Sequence, residues 1–487
     1  MNQLNRMAVS LVLCSICAAA SAHASEISKY DARMAVSDGI ITNGLKWIDG
    51  RRLPIEGRAF DDVERWYDRL PASVTTNVNA GVRGMKRHTA GMQFRFAADS
   101  RRLVFKWMPY SGNLAMDHMP ASGVSGIDVY RFDERSGRWL YAATGRITSA
   151  EKGGTLDIGW TPGVPCLVNL PLYNGIREFS LGIDPEASVS PLPPRRSGID
   201  KPVVFYGTSI THGGCASRPG LSFVNIVGRD LDVPVVNLGF SGSGVMEFEM
   251  SDHLARIDAS CYVLDCLWNM NIGKQGGCRN VDENYEPFIR NLRAKRPGVP
   301  IVMAEQCDVF CGGPNGKDRY IRRLYEKLVA EGWKNLVYLP KDDMYSGDCE
   351  GTVDGCHPND LGMESMAKAY GAAVSKALCL KGGVCASDLF GERRCSARGR
   401  TISRGACGGA TPTRRCSSSR RTRSLRTNAN SAEDGKTVVA AINFEPREIV
   451  CPVKMDGALG RVWRGNVKAD SIVLPPNEAA VFEVVAP

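Results

Sequence analysis

The chain has 487 residues and a formal net charge of +9. The 11 arginines between positions 393 and 426 alone carry more positive charge than this net value. The rest of the chain therefore carries 9 − 11 = −2, which gives no general electrostatic reason to expect a nucleic-acid partner. Beyond the N-terminus, no segment has the roughly 20 apolar residues that a membrane span requires, so we expect no membrane span.

The first 24 residues have the pattern of a secretory signal peptide. Arg6 precedes an apolar run over residues 7–20, and Ala22-His23-Ala24 provides small residues at a cleavage site. The sequence therefore predicts a secreted or periplasmic mature protein.

Residues 25–190 alternate between apolar and polar side chains. The clearest stretches are Met92, Phe94 and Phe96, followed by Leu103, Phe105 and Trp107. This period predicts short antiparallel strands, and we expect an all-β, jelly-roll-like sandwich. Such a domain can bind a glycan, form a wall of the active site, or serve packing alone. Three prolines between residues 188 and 201 indicate a linker after it.

A serine lies where a predicted buried strand gives way to a predicted helix. Residues 203–206 are β-branched and aromatic, and residues 221–231 have apolar side chains at helical spacing. Ser209 lies between them among small residues. Turns at the carboxyl ends of parallel strands are where such sheets bind ligands. The alternative is a serine in an ordinary glycine-rich turn.

Asp354 and His357 share one predicted loop before an apolar-periodic helix over residues 361–378. An imidazole can take the proton of a serine hydroxyl, and a carboxylate can fix the tautomer of that imidazole. Histidine is scarce, with 6 in the chain. The placement therefore favours a catalytic set of Ser209, His357 and Asp354 over a purely structural histidine.

Residues 201–379 resemble the SGNH/GDSL hydrolases, which are esterases and lipases with four short sequence blocks. The first block is a relaxed form of Gly-Asp-Ser-Leu, and the fourth is intact: Gly207-Thr208-Ser209-Ile210-Thr211 and Asp354-x-x-His357-Pro358. The resemblance implies a flavodoxin-like three-layer α/β/α hydrolase domain over residues 201–385. It also implies that Ser209 is the nucleophile.

The second and third blocks imply an oxyanion hole made with the backbone N–H of Ser209. Gly239 matches the glycine whose backbone N–H faces the oxyanion, and Asn269 matches the asparagine whose side-chain amide does so. The third block lacks the usual glycine and aspartate, so Asn271 competes with Asn269. Asparagine is also common as a loop cap after a strand.

A second resemblance concerns the N-terminal half. Gly126-Ile127-Asp128-Val129-Tyr130 is similar to the Gly-x-Asp-Leu-Tyr motif of a β-sandwich that precedes some SGNH hydrolases, with Val129 in place of leucine. The motif supports the sandwich expected from the alternation.

The C-terminal part has another composition. Residues 388–432 are rich in arginine, serine and threonine, without the aromatic residues typical of single-strand nucleic-acid binding, so disorder is favoured over an RNA-binding tail. Strand-like runs return in residues 434–487, at 437–444, 448–454, 460–464 and 479–485. They are similar to the C-terminal β-sandwich that closes many glycoside hydrolases, and predict a small β module.

Cysteine numbers leave the disulfide pattern open. Of 17 cysteines, 15 follow the signal peptide, an odd number for an oxidising compartment. Cys349 and Cys356 flank Asp354, and Cys307 with Cys311 forms another local pair. The mature chain has no Cys-x-x-Cys spacing and its histidines are scattered, so we expect no metal and no cofactor.

The function expected from these patterns is hydrolysis of short acyl esters, such as acetyl esters, on a carbohydrate or another small ester substrate. A lipase or lysophospholipase, an inert glycan-binding scaffold, and an arginine-dependent nucleic-acid binder are the alternatives. We expect no nucleic-acid partner, and the oligomeric state stays open.

Overall fold

The computed structural model describes residues 39–273, 279–307, 314–344 and 348–380, and the backbone of the strands between 425 and 485. The chain divides into two compact units, residues 1–392 and residues 393–487. The predicted signal peptide lies outside the described residues, as does most of the arginine-rich segment.

Two antiparallel sheets occupy the N-terminal half of the first unit. In order across the first sheet, the strands are Ile40–Thr42, Leu45–Asp49, Ile176–Ile183, Arg102–Pro109 and Gly154–Gly159. Across the second they are Val189–Pro191, Gln93–Ala98, Pro165–Asn169, Ile127–Asp133 and Arg138–Gly145, and Ile55–Glu56 pairs with Gln93–Ala98.

The core between these sheets explains the alternation in the sequence. Phe94 and Phe96 from one sheet and Leu103, Phe105 and Trp107 from the other are buried in one hydrophobic cluster. Successive strand side chains point to opposite faces, so every second residue reaches the core. The antiparallel strands are therefore confirmed, while the jelly-roll topology stays a prediction.

A parallel sheet forms the centre of the C-terminal half of this unit. Its strands, in order, are Val235–Gly239, Val203–Gly207, Cys261–Asp265, Ile301–Ala304 and Leu336–Leu339. This is the flavodoxin-like order 2-1-3-4-5. The described helices of the whole unit are Gly50–Arg52, Ala80–Met85, Ala121–Val124, Ser209–His212, Pro219–Leu221, Phe223–Leu231, Phe248–Ala255, Leu267–Asn269, Val281–Lys295, Gly316–Ala330, Lys341–Met344 and Asp360–Ala377.

Two hydrophobic clusters lie on the two faces of the parallel sheet. Alternate residues of the strand Val203–Gly207 enter them: Val204 and Tyr206 are in one cluster, and Val203 and Phe205 are in the other. All of these side chains are fully buried. A strand covered by helices on both faces has no polar side, which is why this stretch reads as a continuous apolar run.

The segment over residues 59–85 lies in the predicted β domain but packs on the parallel sheet. Its buried apolar side chains belong to the same cluster as Val204 and Tyr206; they are Phe60, Leu70, Val74, Val78 and Val82. The two halves of the first unit therefore share a hydrophobic core.

The predicted linker is not a simple spacer, because contacts with both halves hold it in place. Val189–Pro191 is a strand that pairs with Gln93–Ala98. The guanidinium of Arg195, almost completely buried, forms ion pairs with Glu56 and with Asp232. Opposite charges from both halves thus fix the connection in place.

The second unit contains short antiparallel strands, as expected. One sheet has the order Leu425–Ser431, Lys436–Asn443, Ala479–Val485 and Ala458–Arg464, and the other Ile449–Pro452, Ser471–Leu474 and Asn466–Val467. The prediction of disorder up to residue 432 is wrong for Leu425–Ser431. That strand pairs along its whole length with Lys436–Asn443, and such backbone hydrogen bonds do not depend on composition.

Within the described part of the chain, no helix is both long enough and apolar enough to cross a membrane.

Candidate active site

Ser209 begins a short helix directly after the strand Val203–Gly207 of the parallel sheet. Thr208 is the helix N-cap, and its hydroxyl accepts a hydrogen bond from the Ile210 N–H. The helix ends after one turn at Gly213, whose φ of 110° suits glycine. Ser209 is only 7% exposed. The predicted strand–turn–helix around this serine is therefore present.

Asp354 and His357 lie on a tight turn before the helix Asp360–Ala377. Asp354 Oδ1 accepts hydrogen bonds from the N–H groups of Cys356, at 2.9 Å, and His357, at 2.7 Å. Gly355 adopts a φ of 81° within this turn. The carboxylate thus fixes the loop with one oxygen and leaves the other for the imidazole.

The structure brings the three residues into one hydrogen-bonded chain. Ser209 Oγ lies 2.9 Å from His357 Nε2, and His357 Nδ1 lies 2.7 Å from Asp354 Oδ2. Burial opposes the charge of Asp354, but the backbone N–H of His357, its side chain and the Cys356 N–H together lower the pKa of this carboxyl to about 2. An ionised Asp354 favours the tautomer with a proton on Nδ1, which leaves Nε2 as the acceptor of the serine proton.

The two loops that carry these residues are tied to each other. Asp360, in the first turn of its helix, accepts hydrogen bonds from the backbone N–H and the hydroxyl of Ser217. The Cys215 N–H donates to the carbonyl of Pro358 at 3.3 Å. These bonds hold the distance between Ser209 and His357.

Gly239 differs from its expected role. Its backbone N–H donates to Asn237 Oδ1 at 2.9 Å and is not offered to a ligand. An added Cβ would lie 2.2 Å from the backbone nitrogen of His212, so this glycine allows a close approach of two backbone segments. Farther along the same loop, Gly242 is exposed with a φ of 63°, and its N–H finds no acceptor among the described residues.

Asn269 follows its strand as predicted and contacts that same loop. In the amide orientation that suits its neighbours, Oδ1 accepts hydrogen bonds from the N–H groups of Ser243, at 3.0 Å, and Gly244, at 3.1 Å. This orientation gives up the hydrogen bond that Nδ2 donates to the Phe240 carbonyl, at 3.3 Å, in the opposite orientation. Asn271 is exposed and forms a backbone bridge with Asn280. Of the two asparagines, only Asn269 is bound to the loop that carries Gly242.

A cavity of about 370 Å³ opens beside His357. The described residues that line it are Met85, His88, Met116, His118, Met119, Tyr173, Gly214, Ser241 and His357. Six of these nine precede residue 190, so the predicted β domain contributes most of the wall. These six residues were not predictable from the sequence, because no local pattern indicates where a loop of one half meets the other.

The family models match both halves of this arrangement. Residues 200–375 match the GDSL-like lipase/acylhydrolase family, and residues 45–189 match GxDLY, the N-terminus of the SGNH-hydrolase type of esterase. Residues 200–375 therefore form a hydrolase domain of the SGNH/GDSL type. The resemblance expected from the four blocks is confirmed.

Solved structures similar to this hydrolase have the same architecture. A protein from Bacteroides ovatus assigned as a GDSL-like lipase is 28% identical, with a TM-score of 0.59 over 69% of this chain and 99% of that one. The salicylyl-acyltransferase SsfX3 from a tetracycline biosynthetic pathway is 17% identical, with a TM-score of 0.56 over 69% of this chain and 98% of that one. A search of curated proteins found no match.

Behind the cavity, a buried basic cluster supports the hydrolase loops. Tyr173 donates a hydrogen bond to the Ser209 carbonyl at 2.9 Å, and its ring stacks on His212 at 4.1 Å. Arg69 donates to the carbonyls of Asn237 and Gly239. Burial lowers the pKa of Arg69 to about 9 and, together with the charge of Arg69, lowers the pKa of His88 to about 3. His88 is therefore neutral.

A buried carboxyl lies beneath the serine turn. Asp265 Oδ2 accepts a hydrogen bond from Thr211 Oγ1 at 2.7 Å. Burial raises the pKa of Asp265 to about 7, although the bond from Thr211 opposes this shift. The position of the helix that carries Ser209 is thus coupled to a group that titrates near neutral pH.

One group of described side chains has the composition of a metal site. A ring nitrogen of His118, Sγ of Cys215 and a ring nitrogen of His357 lie within 4.8 Å of one another.

Proposed function

We propose that the hydrolase is a serine esterase in which Ser209 is the nucleophile, His357 the general base and Asp354 the group that orients the imidazole. The observation that carries this proposal is the unbroken chain of hydrogen bonds from Ser209 Oγ through His357 to Asp354, at 2.9 Å and 2.7 Å. These distances meet the requirement for proton transfer between a nucleophile and its base. An inert glycan-binding scaffold would not need this alignment.

The reaction follows from the positions of these groups. His357 Nε2 takes the proton of Ser209 as Oγ attacks the ester carbonyl. The imidazolium, stabilised by Asp354, then protonates the leaving alcohol, and an acyl-enzyme forms. A water molecule, deprotonated by the same imidazole, releases the carboxylic acid and restores the serine.

We assign the oxyanion donors to the N–H of Ser209, the N–H of Gly242 and Nδ2 of Asn269. Gly242 replaces Gly239 in this set, because the Gly239 N–H already donates to Asn237. The loop that carries Gly242 also carries Ser241, which lines the cavity. Each donor that is pre-oriented toward the developing charge contributes about 3 kcal/mol in the transition state.

The test is esterase activity of Ser209→Ala and His357→Ala on a chromogenic acetate ester. Each should reduce kcat by at least about 1,000-fold, because members of such a set act as one unit. Thermal unfolding verifies that each variant is folded. His253→Gln, which changes a histidine outside the cavity, is the matched control. A Ser209→Ala rate within about tenfold of the parent contradicts the proposal.

The substrate class that we propose is a short acyl ester, such as an acetyl group, on a carbohydrate. The cavity wall supports this choice, since the nine described residues that line it include no leucine, isoleucine, valine or phenylalanine. The three methionines can cover a short acyl group, while the imidazole of His118 and the hydroxyl of Ser241 can hydrogen-bond a polar alcohol. Rates should fall from acetate through butyrate to octanoate esters. Faster cleavage of octanoate would favour the lipase alternative.

We also propose that the hydrolase acts outside the cytoplasm. The support is the pattern of residues 1–24, with a basic start, an apolar run and a small-residue site. The mass of the protein exported by a bacterial host should correspond to a chain that begins at Ser25. An uncleaved N-terminus would contradict it.

A further inference from the structure

Three side chains from distant parts of the sequence meet at the mouth of the cavity. His118 comes from a loop of the N-terminal half, Cys215 follows the helix of Ser209, and His357 is on the turn described above. Their ligand atoms lie within 4.8 Å of one another. His118 is exposed, Cys215 is buried and His357 is half-buried, so the group has a solvent side and a protein side.

Two imidazole nitrogens and one sulfur form a donor set that binds Zn²⁺. In four-coordinate zinc, ligand atoms are about 3.3 to 3.6 Å apart, as follows from Zn–N bonds of about 2.05 Å and Zn–S bonds of about 2.3 Å. The three ligand atoms lie up to 4.8 Å apart, so they must move slightly closer together to bind one ion. The exposed side chain of His118 has the freedom to make this movement.

The surroundings of His357 also fit a metal ligand. Its Nδ1 is bonded to Asp354 at 2.7 Å, so Nε2 is the nitrogen with an available lone pair. Metal-bound histidines usually donate their second N–H to a carboxylate in this way. Ser209 Oγ lies 2.9 Å from Nε2, so an ion bound to this nitrogen would replace the hydrogen bond between His357 and the serine.

Cys215 must lose its proton to bind a metal. Burial and the nearby Asp354 and Cys356 raise the pKa of this thiol to about 12. A coordinated zinc ion deprotonates a thiol outright, so the charge of the ion overcomes the raised pKa of Cys215.

We propose that His118, Cys215 and His357 form an inhibitory Zn²⁺ site that switches the esterase off. The inhibition rests on the function proposed above, because a zinc ion on Nε2 occupies the lone pair that takes the proton of Ser209. The binding itself does not rest on it. Cys215 and His118 have no part in the four sequence blocks, so the site goes beyond the family chemistry.

Binding is measured first, with Co²⁺ as a spectroscopic probe for Zn²⁺. The full chain should show a thiolate-to-cobalt absorption band that Zn²⁺ removes. Cys215→Ala should bind one ion fewer than the parent. His118→Ala should lower the affinity for that ion at least about tenfold. Since the chain has 17 cysteines, the stoichiometry of parent and variant is compared. His118 is exposed, so its variant keeps the test valid if Cys215→Ala fails to fold.

Inhibition is measured next, as the ratio of acetate ester cleavage with and without Zn²⁺ for each protein. The parent should lose activity as the site fills, while His118→Ala and Cys215→Ala should need at least about tenfold more Zn²⁺. Cys356→Ser, which changes a cysteine near the site but outside the ligand group, should keep the parental sensitivity.

The outcomes separate the two proposals. An unchanged ion count in Cys215→Ala, or zinc inhibition that neither His118→Ala nor Cys215→Ala reduces, overturns the metal site. Loss of inhibition in Cys356→Ser alone would show that the zinc ligands are other residues, and would overturn the proposed site as well. A parent that binds Co²⁺ through Cys215 but cleaves no ester would support the metal site and contradict the esterase.

Discussion

The amide of Asn269 has two ends with different tasks. Its Oδ1 holds the N–H groups of Ser243 and Gly244, at 3.0 and 3.1 Å, and thereby the loop that carries Gly242. Its Nδ2 is the end that we assign to the oxyanion. One side chain thus supplies a donor and positions the neighbouring donor.

Two substitutions separate these tasks. Asn269→Asp keeps an acceptor for the loop but replaces the donor by a negative oxygen, so kcat should fall at least about 100-fold while the melting temperature changes little. Asn269→Ala loses both ends and should lower the melting temperature as well. Steady-state kinetics and thermal unfolding of the pair provide the measurement. An Asn269→Asp enzyme with parental kcat would show that Nδ2 does not contact the oxyanion.

Asp265 makes a pH-dependent contribution to stability. Its pKa is about 7 in the folded protein against an ordinary value of 3.8. A carboxyl whose pKa is raised by folding stabilises the protein below its unfolded pKa, and this contribution is lost as the pH rises through the folded pKa. A shift of this size corresponds to about 4 kcal/mol.

Asp265→Asn should remove this dependence, because an amide does not ionise. The melting temperature of the variant minus that of the parent should rise from about pH 5 to about pH 8.5. The comparison cancels the contributions of the buried histidines, which both proteins share. A difference that does not rise over this range would show that folding does not raise the pKa of Asp265.

Local patterns identify some of these residues and not others. Ser209 and the pair of Asp354 and His357 were predictable, since each lies in a strand–turn–helix or turn–helix pattern that neighbouring residues fix. Gly239 was not, because the engagement of its N–H depends on the side chain of Asn237. His118 and Cys215 meet only through tertiary packing, which leaves no periodic signal in the sequence.

Among the elements, the segment over residues 59–85 connects the two halves through Arg69. The buried guanidinium donates to the carbonyls of Asn237 and Gly239 and to Met85 within its own segment. It also lies 4.7 Å from the ring centre of Phe240. The segment therefore holds the end of the strand Val235–Gly239, where the loop with Gly242 begins.

Arg69→Met should keep the packing of the arginine's aliphatic part but leave three carbonyls, two of them in buried hydrogen bonds, without this donor. We expect a loss of about 3 kcal/mol or more in the free energy of unfolding, since each such bond from a charged donor contributes about 1.5 to 3 kcal/mol. The kcat should fall more than KM rises, because the loop carries an oxyanion donor. Urea unfolding and kinetics measure both. Arg293→Met, which removes an arginine that bonds the carbonyls of Pro297 and Val299, should leave kcat unchanged.

For the whole molecule, the alternation of the N-terminal half and the apolar strands of the parallel sheet predicted both sheet types. The shared core between them was not predictable, because residues 59–85 show neither strand alternation nor a long helical period. Polar contacts reinforce this core: the fully buried Asp128 of the Gly-x-Asp-x-Tyr motif pairs with Arg218 at 2.7 Å. Removal of Arg218 would leave the buried charge of Asp128 with only the neutral donors of Gly220 and Asn169.

This shared core predicts how the chain tolerates truncation. A protein that ends at Glu392 contains Ser209, Asp354, His357 and every described residue of the cavity, so its acetate esterase activity and melting temperature should match those of the full chain.

A protein restricted to residues 201–392 lacks Phe60, Leu70, Val74, Val78 and Val82 of the shared cluster. Each buried side chain of this kind contributes about 1.5 to 3 kcal/mol to stability. The five together therefore contribute more than about 5 kcal/mol, which is the lower end of the free energy of unfolding of typical domains. The shorter protein should therefore be insoluble or lack a cooperative unfolding transition. A folded, active 201–392 protein would show that the hydrolase half completes its core alone, and a loss of activity on truncation at Glu392 would assign residues 393–487 a part in the enzyme.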